Sequence, residues 1–182
     1  MIADGLIGRM MKYNIILVDP PWKFKAGGSR GCKYPTLTLK QLKEFKISSI
    51  AADDCAMFMW ATYPCLPQAL ELIKAYGFTF KTIAFTWVKT NKDNSLFTGL
   101  GYWTRSNAEI CILATRGKPK RVSKRVHQVI MSKRGRHSEK PKESHKRIVE
   151  LMGDLPRIEI FARDVVEGWH VFGNEVVSDI EL

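Results

Sequence analysis

The segment Tyr13–Val18, followed directly by Asp19-Pro20-Pro21, constrains the fold of this chain more than any other feature. Its run of apolar and β-branched residues is typical of a short strand that is buried in a protein core. Proline lacks a backbone N–H and cannot continue a central strand, so the strand must end near Asp19. We therefore predict a buried strand that runs into a loop at Asp19.

Helices and further strands alternate along the rest of the chain. Three helices are expected from apolar spacing, capping residues and glycine stops: one after Thr38 with a capping box to Gln41 and an apolar face of Leu39, Leu42 and Phe45, one at 64–76 ended by Gly77, and one from Pro141 at N1 to Met152 ended by Gly153. Further strands are expected at 55–61, 79–88, 109–115, 157–162 and 169–172. This alternation predicts an α/β fold with a mostly parallel sheet and helices on both faces. Ligands of such sheets bind at the carboxyl ends of strands, where Asp19 is expected.

The charge of the chain is concentrated in one segment. The formal net charge is +11, and residues 116–147 contain thirteen Lys and Arg against two acids, which accounts for the whole excess. A neutral body with one dense cationic segment is typical of a protein that binds a polyanion such as nucleic acid. The alternatives are a solvated loop and a contact with a protein partner.

The basic segment is predicted to be an insertion at about residues 116–139 of a single domain that spans residues 1–182. Val122, Val126, Val129 and Ile130 within it suggest a short helix with an apolar edge. The side chains predicted to contact substrate phosphates are Lys120, Arg121, Lys124, Arg125, Lys133, Arg134 and Arg136.

Other classes of protein find no support in the composition. No apolar run is long enough to cross a bilayer and no secretory signal precedes the first strand, so we expect a cytoplasmic protein without membrane contact. The four cysteines form no C-x-x-C pair and the four histidines show no ligand spacing, so we expect no metal. The cysteines are predicted to be small buried residues.

The tetrad Asp19-Pro20-Pro21-Trp22 has the groups needed for chemistry on a planar amine. The amine lone pair is delocalised into the ring until both N–H groups are held by acceptors, and the Asp19 carboxylate and the Pro20 carbonyl can supply two. The adjacent prolines make the turn rigid, which matters for an in-line attack. Trp22 offers a flat face or an edge to a base. The structural alternative is a rigid turn in which Asp19 caps its own backbone.

Several blocks of the chain resemble one known family. The motifs that carry the resemblance are Asp19-Pro20-Pro21-Trp22, Tyr34-Pro35-Thr36, Gly101-Tyr102-Trp103-Thr104-Arg105 followed by Glu109-Ile110-Cys111-Ile112-Leu113, His137-Ser138-Glu139-Lys140-Pro141, and Arg157–Arg163 with Gly168-Trp169 and Gly173-Asn174-Glu175. In this order they are similar to the MT-A-type adenine-N(6) methyltransferases, the family of the catalytic subunit of the eukaryotic messenger-RNA adenosine methyltransferase. The resemblance covers nearly the whole chain.

The resemblance implies a Rossmann-like methyltransferase fold with a permuted motif order, in which the tetrad precedes the cofactor-binding block. It implies S-adenosylmethionine as cofactor, and it places Tyr34 near the acceptor base. The residues implied to contact the cofactor are Asp19, Lys140, Glu159, Arg163, Asn174 and Glu175. The chain departs from the family at Asp164-Val165-Val166, where polar residues are expected.

The predicted function is transfer of a methyl group from S-adenosylmethionine to the exocyclic N(6) amine of adenine in nucleic acid, with DNA favoured over RNA. One alternative is an inactive nucleic-acid-binding partner subunit of the same fold. Another is methylation of the N(4) amine of cytosine. A homodimer and a heterodimer both remain open.

Overall fold

The computed structural model describes residues 11–23, 35–101, 103–133, 135 and 139–182. The strands are β1 (Tyr13–Val18), β2 (Ala51–Ala61), β3 (Thr79–Thr90), β4 (Ala108–Arg116), β5 (Val129–Lys133), β6 (Arg157–Ile160) and β7 (His170–Phe172). The helices are α1 (Leu39–Glu44), α2 (Ile47–Ile50), α3 (Leu66–Ala75), which follows a 3₁₀ turn at Tyr63–Cys65, and α4 (Glu143–Met152). These bounds lie close to the predicted ones, and β1 matches its prediction residue for residue.

The strands form one sheet in the order β5-β3-β4-β2-β1-β6-β7. Strand β4 runs antiparallel to both of its neighbours, β2 and β3, and every other neighbouring pair is parallel. The predicted mostly parallel sheet is therefore confirmed. The exception has a simple cause: no helix lies between β3 and β4, and without a crossover helix the chain returns antiparallel.

Helices cover both faces of the sheet, as predicted. Along β1, Ile16 and Val18 pack into one apolar cluster with residues of α1, α2 and α3. Ile15 and Leu17 point to the other face, where they pack with Ile148 of α4. Successive side chains of a strand point to opposite faces, so a strand that is apolar throughout is one that is covered on both sides.

The predicted helix ends are confirmed with one shift. Thr38 and Gln41 form the capping box of α1, and Gly77 follows α3 with a φ of +81°. Gly153 ends α4 with a φ of 90°. Pro141 does not occupy the first helical position, because the N-cap of α4 is Lys142 and the helix begins at Glu143. Helix boundaries inferred from sequence are commonly off by one or two residues.

The basic segment contains a strand and not the predicted short helix. Val129–Lys133 pairs in parallel with β3 and forms the edge of the sheet, with Ile130 fully buried against the face that carries α4. Residues 117–128 contain no helix. The spacing of valines suggested a helix, but β-branched side chains pack equally well on a sheet, and strand pairing prevailed.

Three cysteines lie in the described part of the chain, and all are buried thiols as predicted: Cys55, Cys65 and Cys111. Cys32 lies outside the described residues. Within those residues, no helix combines the length and the apolarity that crossing a membrane requires.

Candidate active site

The turn after β1 is held by backbone hydrogen bonds at each of its residues. Asp19 N donates to the carbonyl of Ile160 on β6 at 3.3 Å, and Trp22 N donates to the carbonyl of Pro20 at 2.8 Å. The carbonyl of Pro21 accepts from Leu37 N at 2.9 Å. Within the described residues, the Pro20 carbonyl thus accepts one hydrogen bond, from Trp22 N, and its second lone pair is the one that a ligand could use.

Trp22 is a buried anchor of the turn, so little of the ring that was predicted to offer a face or an edge to a base is exposed. Trp22 is 7% exposed and belongs to the core cluster that includes residues of α1, α2 and α3. Its indole Nε1 donates to the carbonyl of Trp60 on β2 at 3.0 Å. A buried indole N–H with a partner fixes the ring in one orientation, so Trp22 ties the rigid turn to the neighbouring strand.

A chain of alternating charges leads from β3 to Asp19. Lys140 Nζ lies 2.8 Å from each carboxylate oxygen of Asp19 and 3.4 Å from Glu109 Oε2 on β4. Lys89 at the end of β3 forms an ion pair with the same Glu109 carboxylate. The Lys140 ammonium also lies 5.8 Å from the centre of the Trp60 ring, within range of a cation–π interaction. The sequence predicted Glu109 only as part of a strand and of a motif, and it indicated no role for Lys89.

Burial and mutual attraction shift the pKa values of these groups. Burial raises the pKa of Asp19 above its ordinary value, Lys140 opposes this shift, and Glu109 and Glu159 reinforce it. Burial alone would lower the pKa of Lys140, but attraction by Asp19 and Glu109 outweighs it and raises that pKa. For Glu109, burial is outweighed by Lys140 and Lys89, so its pKa is lowered. A perturbed carboxyl and ammonium at the end of a parallel strand are typical of a functional site.

A cleft opens beside Asp19 on the face of the sheet that carries α4. Its cavity volume is about 130 Å³, and the cleft is open to solvent at its mouth. Its lining includes five of the predicted site residues: Asp19, Lys140, Glu159, Arg163 and Glu175. Asn174 is exposed and does not line the cleft. Among the described residues, no group of three His, Cys, Asp or Glu side chains is arranged to hold a metal ion.

Two of the predicted cofactor residues have partners at the cleft. Glu159 on β6 contacts the Nε2 atom of His145 on α4, with 2.7 Å between Nε2 and Oε2. Arg163 Nε lies 3.6 Å from Glu175 Oε1 at the mouth of the cleft. His145 also lines the cleft, and no sequence signal singled it out.

The backbone between β6 and β7 bends sharply at the cleft. Phe161, directly after β6, has a φ of 65°, an uncommon value for a bulky residue, and its side chain lines the cleft. Gly173, directly after β7, lies so close to β6 that a Cβ atom there would be 2.2 Å from the carbonyl oxygen of Ala162. Only glycine fits this close approach, which positions Asn174 and Glu175.

The sheet topology separates the predicted substrate-binding cations. Because β4 runs antiparallel to β2, Arg116 at the end of β4 lies near the start of β2. This end of the strands, the far edge, is opposite the end at which Asp19 follows β1. Four of the predicted cations follow β4, are exposed and therefore extend from that far edge: Lys120, Arg121, Lys124 and Arg125. Lys133, at the end of β5 and paired with Thr90, lies at the same edge as Asp19. The predicted cations that the structure describes therefore lie in two groups.

Three predicted substrate-binding residues, Tyr34, Arg134 and Arg136, lie outside the described residues. The same holds for Tyr102, His137 and Ser138 of the matched motifs.

Comparison with known proteins agrees with the motif order. The MT-A70 family model matches residues 13–175 of the chain. The Type II methyltransferase M.MunI from a Mycoplasma species is 34% identical over 190 residues, covering 91% of this chain and 78% of that protein.

Other relatives are longer proteins. The chain is 26% identical over 187 residues to the mouse N(6)-adenine-specific methyltransferase METTL4, covering 91% of this chain and 38% of METTL4. It is 26% identical over 185 residues to the N6-methyladenosine RNA methyltransferase MTA1 of Pyricularia oryzae, covering 91% of this chain and 47% of MTA1. Together with the family match over residues 13–175, which includes the tetrad and the cleft, these similarities establish that the chain belongs to the MT-A70 family.

Proposed function

We propose that this chain transfers a methyl group from S-adenosylmethionine to the N(6) amine of adenine in nucleic acid, with DNA favoured over RNA. The observation that carries the proposal is the position of Asp19, a carboxylate at the carboxyl end of β1 that lines the cleft and is held by Lys140. The names of METTL4 and MTA1 specify adenine or adenosine methylation. They support the choice of adenine over cytosine.

The cleft residues fit S-adenosylmethionine, which when bound supplies an electrophilic methyl group on a sulfonium. The carboxylates of Asp19 and Glu159 suit the two positive charges of that cofactor, the sulfonium and the ammonium. Arg163 and Glu175, at the mouth, can hydrogen-bond ribose hydroxyls, and Asn174 stands next to them. Lys140 is implied to contact the cofactor, and a lysine suits its methionine carboxylate. Its contacts with Asp19 and Glu109 give it a second role in fixing Asp19.

The tetrad residues act on the acceptor amine. The Asp19 carboxylate accepts a hydrogen bond from one amine N–H, and the free lone pair of the Pro20 carbonyl accepts from the other. With both N–H groups held, the amine lone pair would be free to accept the methyl group that the bound cofactor would supply, and the surplus amine proton would leave to solvent. Pro21 holds the turn rigid, and Trp22 fixes it to β2 through Trp60.

The cations have two roles in this proposal. Lys133 lies at the edge of the sheet that holds Asp19, so it contacts phosphates next to the target nucleotide. The far-edge group of Lys120, Arg121, Lys124 and Arg125 contacts phosphates further along a long substrate. Binding through phosphates is expected to weaken steeply with salt. Residues 1–182 are proposed to act as one domain.

The test is transfer of labelled methyl from S-adenosylmethionine to single- and double-stranded DNA and RNA, followed by nucleoside analysis. We expect label in N(6)-methyladenine, with more in DNA than in RNA. A non-catalytic subunit is also among the relatives: MTB of Arabidopsis thaliana is 32% identical over 119 residues, 60% of this chain. Cofactor binding without transfer to any substrate would favour a non-catalytic role for this chain as well.

A further inference from the structure

His145, in the first turn of helix α4, lines the cleft. It is 7% exposed, and its ring meets the ring of Trp169 edge to face, with 5.0 Å between ring centres. Its Nε2 atom is 2.7 Å from Glu159 Oε2. Two independent contacts, one apolar and one polar, therefore fix the ring beside a carboxylate that lines the same cleft.

The contact with His145 gives the two carboxylate oxygens of Glu159 different roles. An ionised carboxylate can only accept hydrogen bonds, so the proton of the contact belongs to His145 Nε2. Oε2 is occupied by this bond, and within the described residues Oε1 has no hydrogen-bond partner. A fixed carboxylate with one oxygen committed to the protein presents the other to a ligand in a single orientation.

Glu159 needs such support because of its neighbours. It is a strand residue of β6 that pairs with Leu17 of β1, two residues before Asp19, and its charge acts on Asp19. Two carboxylates at one cleft repel each other, and the hydrogen bond donated by His145 holds Glu159 in place against this repulsion. In the absence of that donor, the carboxylate is expected to turn away from Asp19.

We propose that His145 is a positioning residue for the cofactor, which acts by holding Glu159 so that Oε1 accepts a hydrogen bond from a hydroxyl or ammonium group of S-adenosylmethionine. This inference rests on the proposed function, because it requires that the cleft bind this cofactor. It adds a residue to which neither composition nor motif spacing assigned any role.

The experiment compares the affinity of three His145 variants for S-adenosylmethionine by isothermal titration calorimetry. His145→Phe keeps a ring against Trp169 but removes the donor, and His145→Asn carries an amide too short to reach Glu159. Both are expected to raise Kd about tenfold or more, as for the loss of a hydrogen bond to a charged group. His145→Gln places an amide N–H near the position of Nε2 and is expected to restore most of the affinity.

A double-variant cycle tests the route through Glu159. If His145 acts through that carboxylate, then His145→Phe should weaken binding no further once Glu159 is replaced by Gln. In the methyl-transfer assay, His145→Phe should raise the KM for the cofactor and leave kcat at saturating cofactor nearly unchanged.

The matched control is His170→Phe, which likewise removes a hydrogen bond, here to the Tyr13 hydroxyl, and keeps a ring against the edge-on partner Tyr13. It lies at the start of β7, at the edge of the sheet opposite the cleft, and should lower Tm without changing Kd. If both loss variants bind the cofactor as tightly as the wild type, only the inference about His145 is overturned. If the wild type itself binds no S-adenosylmethionine, the proposed function fails and the inference fails with it.

Discussion

Lys140 Nζ lies 2.8 Å from the Asp19 carboxylate, although 121 positions separate the two residues in the chain. The contact joins the basic segment to the turn after β1. Glu109 holds the same ammonium from the other side, at 3.4 Å. Asp19 is therefore part of a charge network that sets both its orientation and its ionisation.

The network predicts how activity depends on pH. Activity requires the Asp19 carboxylate as an acceptor, and burial raises its pKa, so activity should fall in acid at a higher pH than an ordinary aspartate would produce. Lys140→Met removes the charge that lowers this pKa and should move the acid limb of kcat/KM to higher pH. Glu109→Gln removes a charge that raises it and should move the limb to lower pH. Shifts of the two variants in the same direction would contradict this network.

Glu109 is also predicted to stabilise the fold. Its pKa is lowered in the folded state, so its contribution is present above the pKa of an unfolded glutamate and is lost as pH falls through the folded-state value. Glu109→Gln leaves Lys89 and Lys140 without their shared partner, and should lower the free energy of unfolding by about 3 kcal/mol at neutral pH. Denaturant unfolding of both proteins checks this. The difference should shrink in acid, and a constant difference at all pH values would argue against an electrostatic origin.

Substrate length should separate the two groups of cations. A five-residue strand spans about 17 Å, so the far-edge group is beyond the reach of a short oligonucleotide bound at the cleft. Lys133→Glu should weaken binding of short and long substrates alike. Lys120→Glu combined with Lys124→Glu should weaken binding of a long duplex only, and should reduce its salt dependence. Fluorescence anisotropy with both substrates measures this, and equal effects of the far-edge pair on both would refute the assignment.

Gly173→Ala tests the close approach of β6 and β7. The new Cβ would lie 2.2 Å from the Ala162 carbonyl oxygen, which forces the strands apart. We expect a loss of about 1–3 kcal/mol in unfolding free energy and weaker cofactor binding, because Glu175 moves with the backbone. Gly77→Ala is the control: its Cβ meets nothing within 4 Å, but its φ of +81° is strained. It should cost about 1 kcal/mol and leave cofactor affinity unchanged.

The sequence predicts the local features of this fold better than the contacts across it. The buried run before Asp19 and the capping box at Thr38 are local patterns, and both are confirmed. The Lys89–Glu109–Lys140 chain joins three distant segments, and no spacing rule brings them together.

The separation of the cations of the basic segment into two groups could not be predicted from the sequence, for a related reason. Its residues are adjacent in sequence, but the antiparallel direction of β4 sends Lys120 and Lys133 to opposite edges of the sheet. Strand direction depends on the whole connection between β3 and β4, which charge patterning does not report. His145 was missed because a histidine among lysines and arginines resembles any other surface cation in sequence, and only its burial against Trp169 sets it apart.

The central claim is that Asp19 acts on the acceptor amine, and Asp19→Asn tests it most directly. The variant keeps the size of the side chain and leaves an amide that cannot reproduce the two-oxygen acceptor. The measurement is N(6)-methyladenine formed in DNA by the folded variant and by the wild type, at the same saturating S-adenosylmethionine. We predict a loss of turnover of at least about a hundredfold, with salt-sensitive nucleic-acid binding retained. Turnover equal to that of the wild type would contradict the account.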